Sequence, residues 1–280
     1  MPRQTIQRIV ETAGPGLHSG VVTRLWLEPG QPGQGIVFER RDHPGPPRIP
    51  AALARVAATE RRTSLQLDDL EVQTVEHLLA ACWALGVDDL TVALDGPEVP
   101  ILDGSFAPFV ALLDAAGPRP HPGRRRLAAL PGPVEVTAGE ASYRAEPSEQ
   151  LQLRVTLEYL EPVIGQQTVA LPVTAESFRR ELQSARTYGF ETELIPLRNR
   201  GLLAGASLGA GLLLDQTSVR NGQLHWPDEF ARHKAGDLLG DLALLQAGLR
   251  AAITAHRPSH RGNVALARTI AEVARYSEEA

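Results

Sequence analysis

The chain has 280 residues, which is enough for one large or two medium domains with a sizeable hydrophobic core. Apolar residues make up 43% of the sequence and aromatic residues only 5%, so we expect a mainly aliphatic core. The formal net charge of −5 argues against a general nucleic-acid or anionic-membrane binder, because both of those partners attract basic surfaces.

Cysteine content and hydropathy indicate the compartment. The single cysteine, Cys82, cannot form an internal disulfide and lies in an apolar run, as is typical of a buried thiol in a reducing compartment. The first residues contain no continuous apolar segment of the signal-peptide type. The longest uncharged apolar stretch, residues 202–214, has 13 residues, whereas a membrane-spanning helix needs about 20. We expect a cytoplasmic monomer with no transmembrane segment and no nucleic-acid partner.

The first half of the chain alternates strand and helix patterns. Strands are predicted at residues 6–10 and 21–27, around the glycine-rich turn at residues 14–20. An apolar helix is predicted at residues 75–85, where Gly86 ends it, and is followed by a strand at Leu90–Leu94. A second helix is predicted at residues 106–115.

Proline and glycine residues then interrupt the pattern at residues 117–133. We therefore predict a first domain at residues 1–118, a linker at 119–130 and a second domain at 131–280. Within the second half, strands are predicted at residues 134–136, 151–159 and 167–171, and helices at 175–183 and 228–255. Strands and helices that are mixed in this way in both halves indicate the α+β class.

The segment around Lys234, which is the only lysine of the chain, combines metal-binding residue types with helical spacing. His233, Asp237 and Asp241 are spaced i, i+4 and i+8, so they project from one face of a helix. A solvated charged face explains this spacing equally well. However, Ala, Gly and Leu residues lie between the polar ones, so part of the stripe must face inward.

A second polar pair, Glu76 and His77, opens the first predicted helix. Taken alone, the pair fits a helix start with Thr74 as the cap and an acidic first turn. Taken with His233 and Asp237, His77 completes the three nitrogen and oxygen ligands of a typical catalytic zinc site. Glu76 would then be placed to take a proton from the attacking water.

A third polar segment, residues 255–263, is expected to be a loop that closes the long helix. It fits a simple C-terminal cap with favourable cations. Alternatively, His260 is a proton donor, in which case contact with a carboxylate such as Asp241 would raise its pKa.

Six sequence motifs, spread in order over nearly the whole chain, resemble those of the UDP-3-O-acyl-N-acetylglucosamine deacetylase family, which commits its substrate to lipid A synthesis. The resemblance rests on the strings GPGLHSG (14–20), TVEHLLAA (74–81), PILDGSFAPF (100–109), ARTYGF (185–190), DEFARHKAGDLLGD (228–241) and SHRGN (259–263).

The resemblance implies a zinc amidase with two α+β domains packed face to face, each carrying a small insert. It also implies one catalytic Zn²⁺, with Fe²⁺ as the alternative metal, and an acylated UDP-amino-sugar substrate that loses its N-acetyl group as acetate. By resemblance, the metal ligands are His77, His233 and Asp237. The catalytic residues implied are the general base Glu76, the cationic acid His260 oriented by Asp241, Thr187 facing the oxyanion, and Lys234 stabilising developing charge.

The second insert, at about residues 191–223, is implied to be a β-α-β unit that forms a passage for the acyl chain. Residues 202–214 fall within it and would form a wall of this passage. The substrate contacts implied by the resemblance are Leu17, His18, Tyr188, Leu202, Gly205, Ala206 and Arg257.

The chain departs from the family pattern at three of its motif positions. Tyr188 stands where Phe is usual, Arg257 replaces a Lys expected to meet the nucleotide diphosphate, and Ser259 replaces a Gly before His260. Loss of this glycine is expected to restrict the segment that holds His260. Two alternatives stay open: a relative retuned to another acylated amino sugar, and a lipid- or nucleotide-binding protein that has lost catalysis.

Overall fold

A computed structural model describes residues 1–278. The two main sheets are built from the two halves of the chain, with α-helices packed between and beside them. The predicted α+β class is thereby confirmed. Within the described residues, no helix combines the length and the apolar character that crossing a membrane requires.

The first half forms a mixed sheet with strand order β2-β3-β8-β4-β5, in which β4 and β8 are parallel and the other pairs antiparallel. All side chains of β8 are buried, because this strand lies at the centre of the sheet. The elements of this half are β1 (Pro2–Ile6), β2 (Val10–Pro15), β3 (Val22–Pro29), β4 (Ile36–Arg40), β5 (Arg48–Pro50), β6 (Leu65–Leu67), β7 (Leu70–Val72), α1 (Glu76–Leu85), β8 (Leu90–Leu94) and α2 (Ala107–Ala116).

The single strand predicted at residues 6–10 is wrong, because β1 ends at Ile6 and β2 begins at Val10. Between them, the backbone amide of Gln7 donates to the carbonyls of Ala116 and Gly117 at the end of α2. These hydrogen bonds satisfy otherwise unpaired helix carbonyls and turn the chain out of the strand. The helix predicted at residues 75–85 is confirmed, and Gly86 ends it in the left-handed conformation with φ 72°.

The second half forms a sheet around one long central strand, β17, which pairs antiparallel with β12 and parallel with both β10 and β13. The elements of this half are β9 (Pro118–Arg124), β10 (Arg126–Ala129), β11 (Val134–Ala138), β12 (Ala141–Pro147), β13 (Gln152–Glu158), β14 (Gln166–Pro172), α3 (Ala175–Ser177, continued by a π-helical turn at Phe178–Leu182), β15 (Tyr188–Phe190), α4 (Glu191–Asn199), β16 (Leu212–Leu214), α5 (Glu229–Leu242), β17 (Gly248–His256), α6 (His260–Val273) and β18 (Arg275–Glu278).

The long helix predicted at residues 228–255 is wrong in its second part. Helix α5 ends at Leu242, a 3₁₀ turn follows, and Gln246 adopts the left-handed conformation with φ 54°. The next residues form β17, in which Leu249, Ala251, Ile253 and Ala255 are buried at every second position. That period of two belongs to a strand, but most residues of the segment are apolar, so the pattern also fitted the continuation of a buried helix.

The segment predicted as a linker contains two strands. The proline-rich strand β9 pairs antiparallel with β1 and with no other strand in the described part of the chain, as prolines require, since they cannot donate to a second neighbour. Strand β10 lies inside the second sheet, between β17 and β18. The division into two domains stays a prediction.

A β-α-β unit at residues 188–214 stands apart from both main sheets. It consists of β15, α4 and β16, and the two strands pair in parallel from Tyr188 against Leu212 to Phe190 against Leu214. The unit is tied back to the first half because the Thr187 amide donates to the Gly104 carbonyl over 2.8 Å. The predicted insert at about residues 191–223 overlaps this unit, but the unit begins earlier, because β15 starts at Tyr188.

Candidate metal centre and active site

The site forms where helix α1 of the first half packs against helix α5 of the second. One glycine of α5, Gly240, allows this approach. A methyl group at Gly240 would overlap the carbonyl oxygen of Glu76 and lie 2.8 Å from its carbonyl carbon and 3.0 Å from its Cα. Any larger residue there would therefore hold the two helices, and the polar residues that they carry, further apart. A methyl group at Gly236 would instead overlap the ring of Phe106, which directly precedes α2.

His77 from α1 and His233 and Asp237 from α5 converge at this contact. One potential ligand atom of each lies within 4.8 Å of the others, and all three residues are buried. Asp237 Oδ1 is 3.4 Å from His77 Nε2 and 3.3 Å from His233 Nε2. The predicted i, i+4 spacing of His233 and Asp237 thus places both on the face of α5 that meets α1.

The chemistry of these groups fits a divalent metal. His233 Nδ1 donates to the Ala185 carbonyl, which leaves Nε2 as the nitrogen facing the site. Burial lowers the pKa of His233 to about 3, so its imidazole is neutral and able to act as a ligand. Asp237 Oδ1 is buried and accepts no hydrogen bond from any residue in the described part of the chain. A bound cation would satisfy this orphaned oxygen.

Lys234 neutralises the other oxygen of the same carboxylate. Its ammonium donates to Asp237 Oδ2 over 2.9 Å and lies 5.7 Å from the Tyr188 ring centroid. Burial alone would raise the pKa of Asp237, but the nearby His233 and Lys234 outweigh it and hold that pKa well below its usual range. The carboxylate is therefore ionised, as a metal ligand must be.

Glu76 lies beside the three possible ligands at the start of α1. One of its oxygens accepts from the Thr63 amide over 3.0 Å, and the other lies 3.7 Å from His260 Nε2. Burial raises the pKa of Glu76 above its usual value. A carboxylate with a raised pKa is a better proton acceptor than one in water.

His260 lies next to both Glu76 and Asp237, with its Nε2 at 3.7 Å from an oxygen of each. Its Nδ1 donates to Asp241 Oδ2 over 2.9 Å, and the ring is buried. Burial alone would lower its pKa, but the carboxylates of Asp241 and Glu76 outweigh burial and raise the pKa of His260 to about 9. The imidazole is therefore cationic at neutral pH and can donate a proton from Nε2.

The segment that carries His260 differs from the predicted loop at the end of a long helix. It follows strand β17, and His260 is the first residue of α6, which begins directly after Ser259. Ser259 has an extended backbone with φ −138°, which any residue adopts, and its hydroxyl accepts from the Gly262 amide. The usual glycine is therefore not needed at position 259, because the serine caps the helix.

Residues that the sequence analysis missed hold Asp241 in place. The Thr63 hydroxyl donates to Asp241 Oδ1 over 2.5 Å, and the Asn263 amide donates to Oδ2 over 2.8 Å. Tyr143 in turn donates to Asn263 Oδ1. Asn263 could have been predicted as a site residue only from its position one helical turn after His260. Thr63 could not have been predicted, because no neighbouring residue in the sequence distinguishes it.

Glu98 is a second residue that the sequence analysis missed. It is fully buried and accepts from the amides of His18 and Ser19 and from the Thr74 hydroxyl. These bonds fix the glycine-rich segment at residues 14–20 beside the start of α1. Leu17 and His18 consequently line a cavity next to the metal site, and burial lowers the pKa of His18 to about 4, which leaves its ring uncharged.

This apolar cavity has a volume of about 290 Å³ and lies between the glycine-rich segment and the β-α-β unit. Predicted contact residues Leu17, His18, Tyr188 and Ala206 line it, together with Thr187. The cavity residues contributed by the β-α-β unit and its loops include Leu194, Leu203, Leu208, Leu212 and Leu213.

The other predicted contacts lie elsewhere. Leu202 is buried, and Gly205 packs against the backbone of Gly16, so neither is among the described residues that line the cavity. A methyl group at Gly205 would lie 3.0 Å from the Gly20 Cα and overlap the Gly16 carbonyl oxygen, so this glycine serves close packing. Arg257 forms an exposed ion pair with Glu140.

Comparison with known proteins identifies the family of the chain. Residues 3–272 match the LpxC family, described as UDP-3-O-acyl N-acetylglycosamine deacetylase. A protein of Myxococcus xanthus (strain DK1622) named UDP-3-O-acyl-N-acetylglucosamine deacetylase is 39% identical over 269 residues, which cover 96% of this chain and 86% of the relative. The chain therefore belongs to the UDP-3-O-acyl N-acetylglycosamine deacetylase family.

Proposed function

We propose that the protein hydrolyses the N-acetyl amide of UDP-3-O-acyl-N-acetylglucosamine and releases acetate, as a Zn²⁺-dependent deacetylase of lipid A synthesis in the cytoplasm. The name of the relative supports the reaction and the substrate. One observation of the structure carries the proposal furthest. His77, His233 and Asp237 converge around an orphaned carboxylate oxygen, and Glu76 and a cationic His260 lie beside them, 3.7 Å apart.

His77, His233 and Asp237 would hold the metal. When bound there, Zn²⁺ supplies Lewis-acid chemistry, because it polarises a carbonyl and makes water a stronger acid. Imidazole nitrogens and a carboxylate oxygen are ligand types that zinc accepts, and Fe²⁺ is the alternative ion.

The remaining chemistry belongs to the side chains around the metal site. Glu76 accepts the proton of the attacking water as the new carbon–oxygen bond forms. The Thr187 hydroxyl and the Lys234 ammonium stabilise the negative charge that develops on the former carbonyl oxygen. His260 then gives its Nε2 proton to the leaving nitrogen as the carbon–nitrogen bond breaks, and Asp241 keeps the ring oriented and charged throughout. The products are acetate and a free amine.

The apolar cavity would hold the fatty chain of the substrate. It lies beside the metal site, since Thr187 and Tyr188 line both this cavity and the cavity at the metal site. Its lining is mainly aliphatic, and the long Leu side chains of the β-α-β unit keep it dry. Arg257 stays a candidate contact for the diphosphate, since its ion pair with the exposed Glu140 is weak enough to exchange.

The decisive experiment measures metal content and deacetylation on one purified sample. We expect about one zinc per chain and acetate release from the long-chain substrate. His233→Ala should lose both, because it removes a ligand. Full zinc occupancy in His233→Ala would refute the ligand assignment, and a zinc-loaded wild type without deacetylation would refute the reaction. The monomeric state stays a separate prediction that sedimentation can test.

A further inference from the structure

Arg61 lies where three cavities meet. It lines the apolar cavity and also the cavity at the metal site, called the metal cavity below, which His77, His233 and Asp237 line. It further lines a third cavity of about 350 Å³, together with Tyr188, Lys234 and His260. Its side chain is 40% exposed, as is reasonable for a residue at an opening. Arg61 was not among the predicted site residues, because nothing local in the sequence distinguishes it from the many other arginines of the chain.

The chemistry of the substrate makes this junction important, an argument that rests on the proposed function. In that substrate the N-acetyl group and the O-acyl group are attached to neighbouring carbons of the sugar. When the amide is in the metal cavity and the fatty chain is in the apolar cavity, the ester that begins the chain must lie at the passage between them. Leu17, Arg61, Thr187 and Tyr188 line both cavities and therefore surround that passage.

Among these passage residues, Arg61 is the one suited to bind an ester carbonyl. Leu17 offers no side-chain donor, Thr187 faces the reacting amide in the proposed mechanism, and the Tyr188 hydroxyl already lies 3.4 Å from the Tyr159 hydroxyl. A guanidinium is always charged and carries five N–H groups. Its hydrogen bonds to a carbonyl oxygen are charge-assisted and therefore strong.

The guanidinium of Arg61 is held by one carboxylate, that of Glu193. Its Nη1 and Nη2 donate to the carboxylate of Glu193 on α4, with a Nη1 to Oε2 distance of 3.0 Å. This end-on contact leaves Nε–H and the second hydrogen of each terminal nitrogen for another acceptor. The backbone of Arg61 is left-handed with φ 60°, a strained conformation for a residue with a side chain, and such strain is typical of functional positions.

We propose that Arg61 binds the ester carbonyl of the O-acyl group and so determines specificity for substrates whose chain is attached through an ester. Glu193 orients the guanidinium for this contact from α4. The alternative is that Arg61 only ties the loop at residues 59–62 to α4. The neighbouring pair Arg200 and Glu60 makes a similar tie between the same two elements, with Nη2 to Oε1 at 2.6 Å.

The test compares two substrates in the metal-loaded enzyme: the natural ester, and a 3-O-alkyl ether of the same chain length that lacks the carbonyl oxygen. In the wild type, we expect kcat/KM to be about 10-fold to 100-fold higher for the ester, the range for a hydrogen bond to a charged group. In Arg61→Gln, kcat/KM for the ester should fall to about the value that the wild type shows with the ether, and kcat/KM for the ether should stay unchanged.

Arg200→Ala is the matched control, because it breaks the second tie, and Arg200 is not among the described residues that line the cavities. It should keep the full preference for the ester. Zinc content and thermal unfolding of each variant show whether it is folded and loaded.

Each outcome decides the matter. An Arg61→Gln enzyme that retains the ester preference overturns the inference, and so does an equal loss on both substrates, which would place Arg61 on a group that they share, such as the diphosphate. If Arg61→Gln does not fold, the wild type still decides, because equal kcat/KM for ester and ether would overturn the inference. A wild type that hydrolyses neither substrate would refute the proposed function itself.

Discussion

Substitution of Gly240 by alanine tests whether close packing of α1 and α5 builds the site. The added methyl would overlap the Glu76 carbonyl oxygen and lie 2.8 Å from the carbonyl carbon, whereas non-bonded heavy atoms pack best at about 3.5–4.0 Å. Because the obstacle is backbone rather than a flexible side chain, the helices must separate by roughly 1 Å.

Two opposing effects determine how much Gly240→Ala changes the free energy of unfolding. Replacement of glycine by alanine inside a helix favours the helix by about 1 kcal/mol. Overpacking of a tight interface costs about 1–3 kcal/mol, and we expect the upper end here because both helices are buried. The net loss in the free energy of unfolding should therefore be about 2 kcal/mol, which lowers Tm by roughly 5 °C in a chain of this size.

Activity should suffer more than stability. Glu76 and His77 lie on α1, whereas His233, Asp237 and Asp241 lie on α5, so separation of the helices displaces one set from the other. A displacement of about 1 Å can cost about 100-fold in rate, so we expect kcat/KM to fall roughly 10-fold to 100-fold.

Thermal unfolding, zinc content and kcat/KM would be measured beside Gly132→Ala, whose methyl would meet no described atom within 4 Å. The control should match the wild type. A Gly240→Ala protein that is as stable and as active as the wild type would refute the argument from close packing.

The remaining predictions concern chemistry and substrate. Glu76→Gln should retain zinc and the fold but lose about 10²-fold to 10⁴-fold in turnover, and unchanged turnover would contradict its role as base. His260 donates its proton only below its pKa of about 9, so activity should fall as pH rises through that value. Asp241→Asn removes the carboxylate that raises this pKa, so the basic limb of kcat/KM should move to lower pH; an unmoved limb would speak against the pair. Shortening the acyl chain by four carbons should remove about 3 kcal/mol of binding, or roughly 200-fold in kcat/KM, while equal values for both lengths would mean that the cavity does not hold the chain.

Local patterns in the sequence were sufficient for some elements of the fold. The helix at α1, its end at Gly86 and strand β8 were predicted within a residue, because apolar runs bounded by glycine are local signals. The same reasoning failed after Leu242. There most residues were still apolar, and the few polar ones, Gln246, Arg250 and Thr254, recur every fourth position, as on one face of a helix. Neither helix nor strand was therefore excluded until the partners of β17 were known.

The candidate site divides in the same way. Spacing along α5 was enough to place His233, Asp237 and Asp241 on one helix face, since helical geometry is local. At Ser259 the motif alone was misleading. The missing glycine suggested that the segment holding His260 is restricted, whereas Ser259 has an extended backbone and caps α6.

Sequence by itself determined which residue types carry chemistry and which of them share a helix. Only the tertiary structure decided which of them meet. The Thr63 hydroxyl reaches Asp241 across 178 positions of sequence, and the Arg61 guanidinium reaches Glu193 across 132. No local pattern encodes such contacts, because they depend on how closely α1 approaches α5 and on where the β-α-β unit lies. The approach of the two helices depends in turn on the absence of a side chain at Gly240, whose importance appears only once α1 is in place against it.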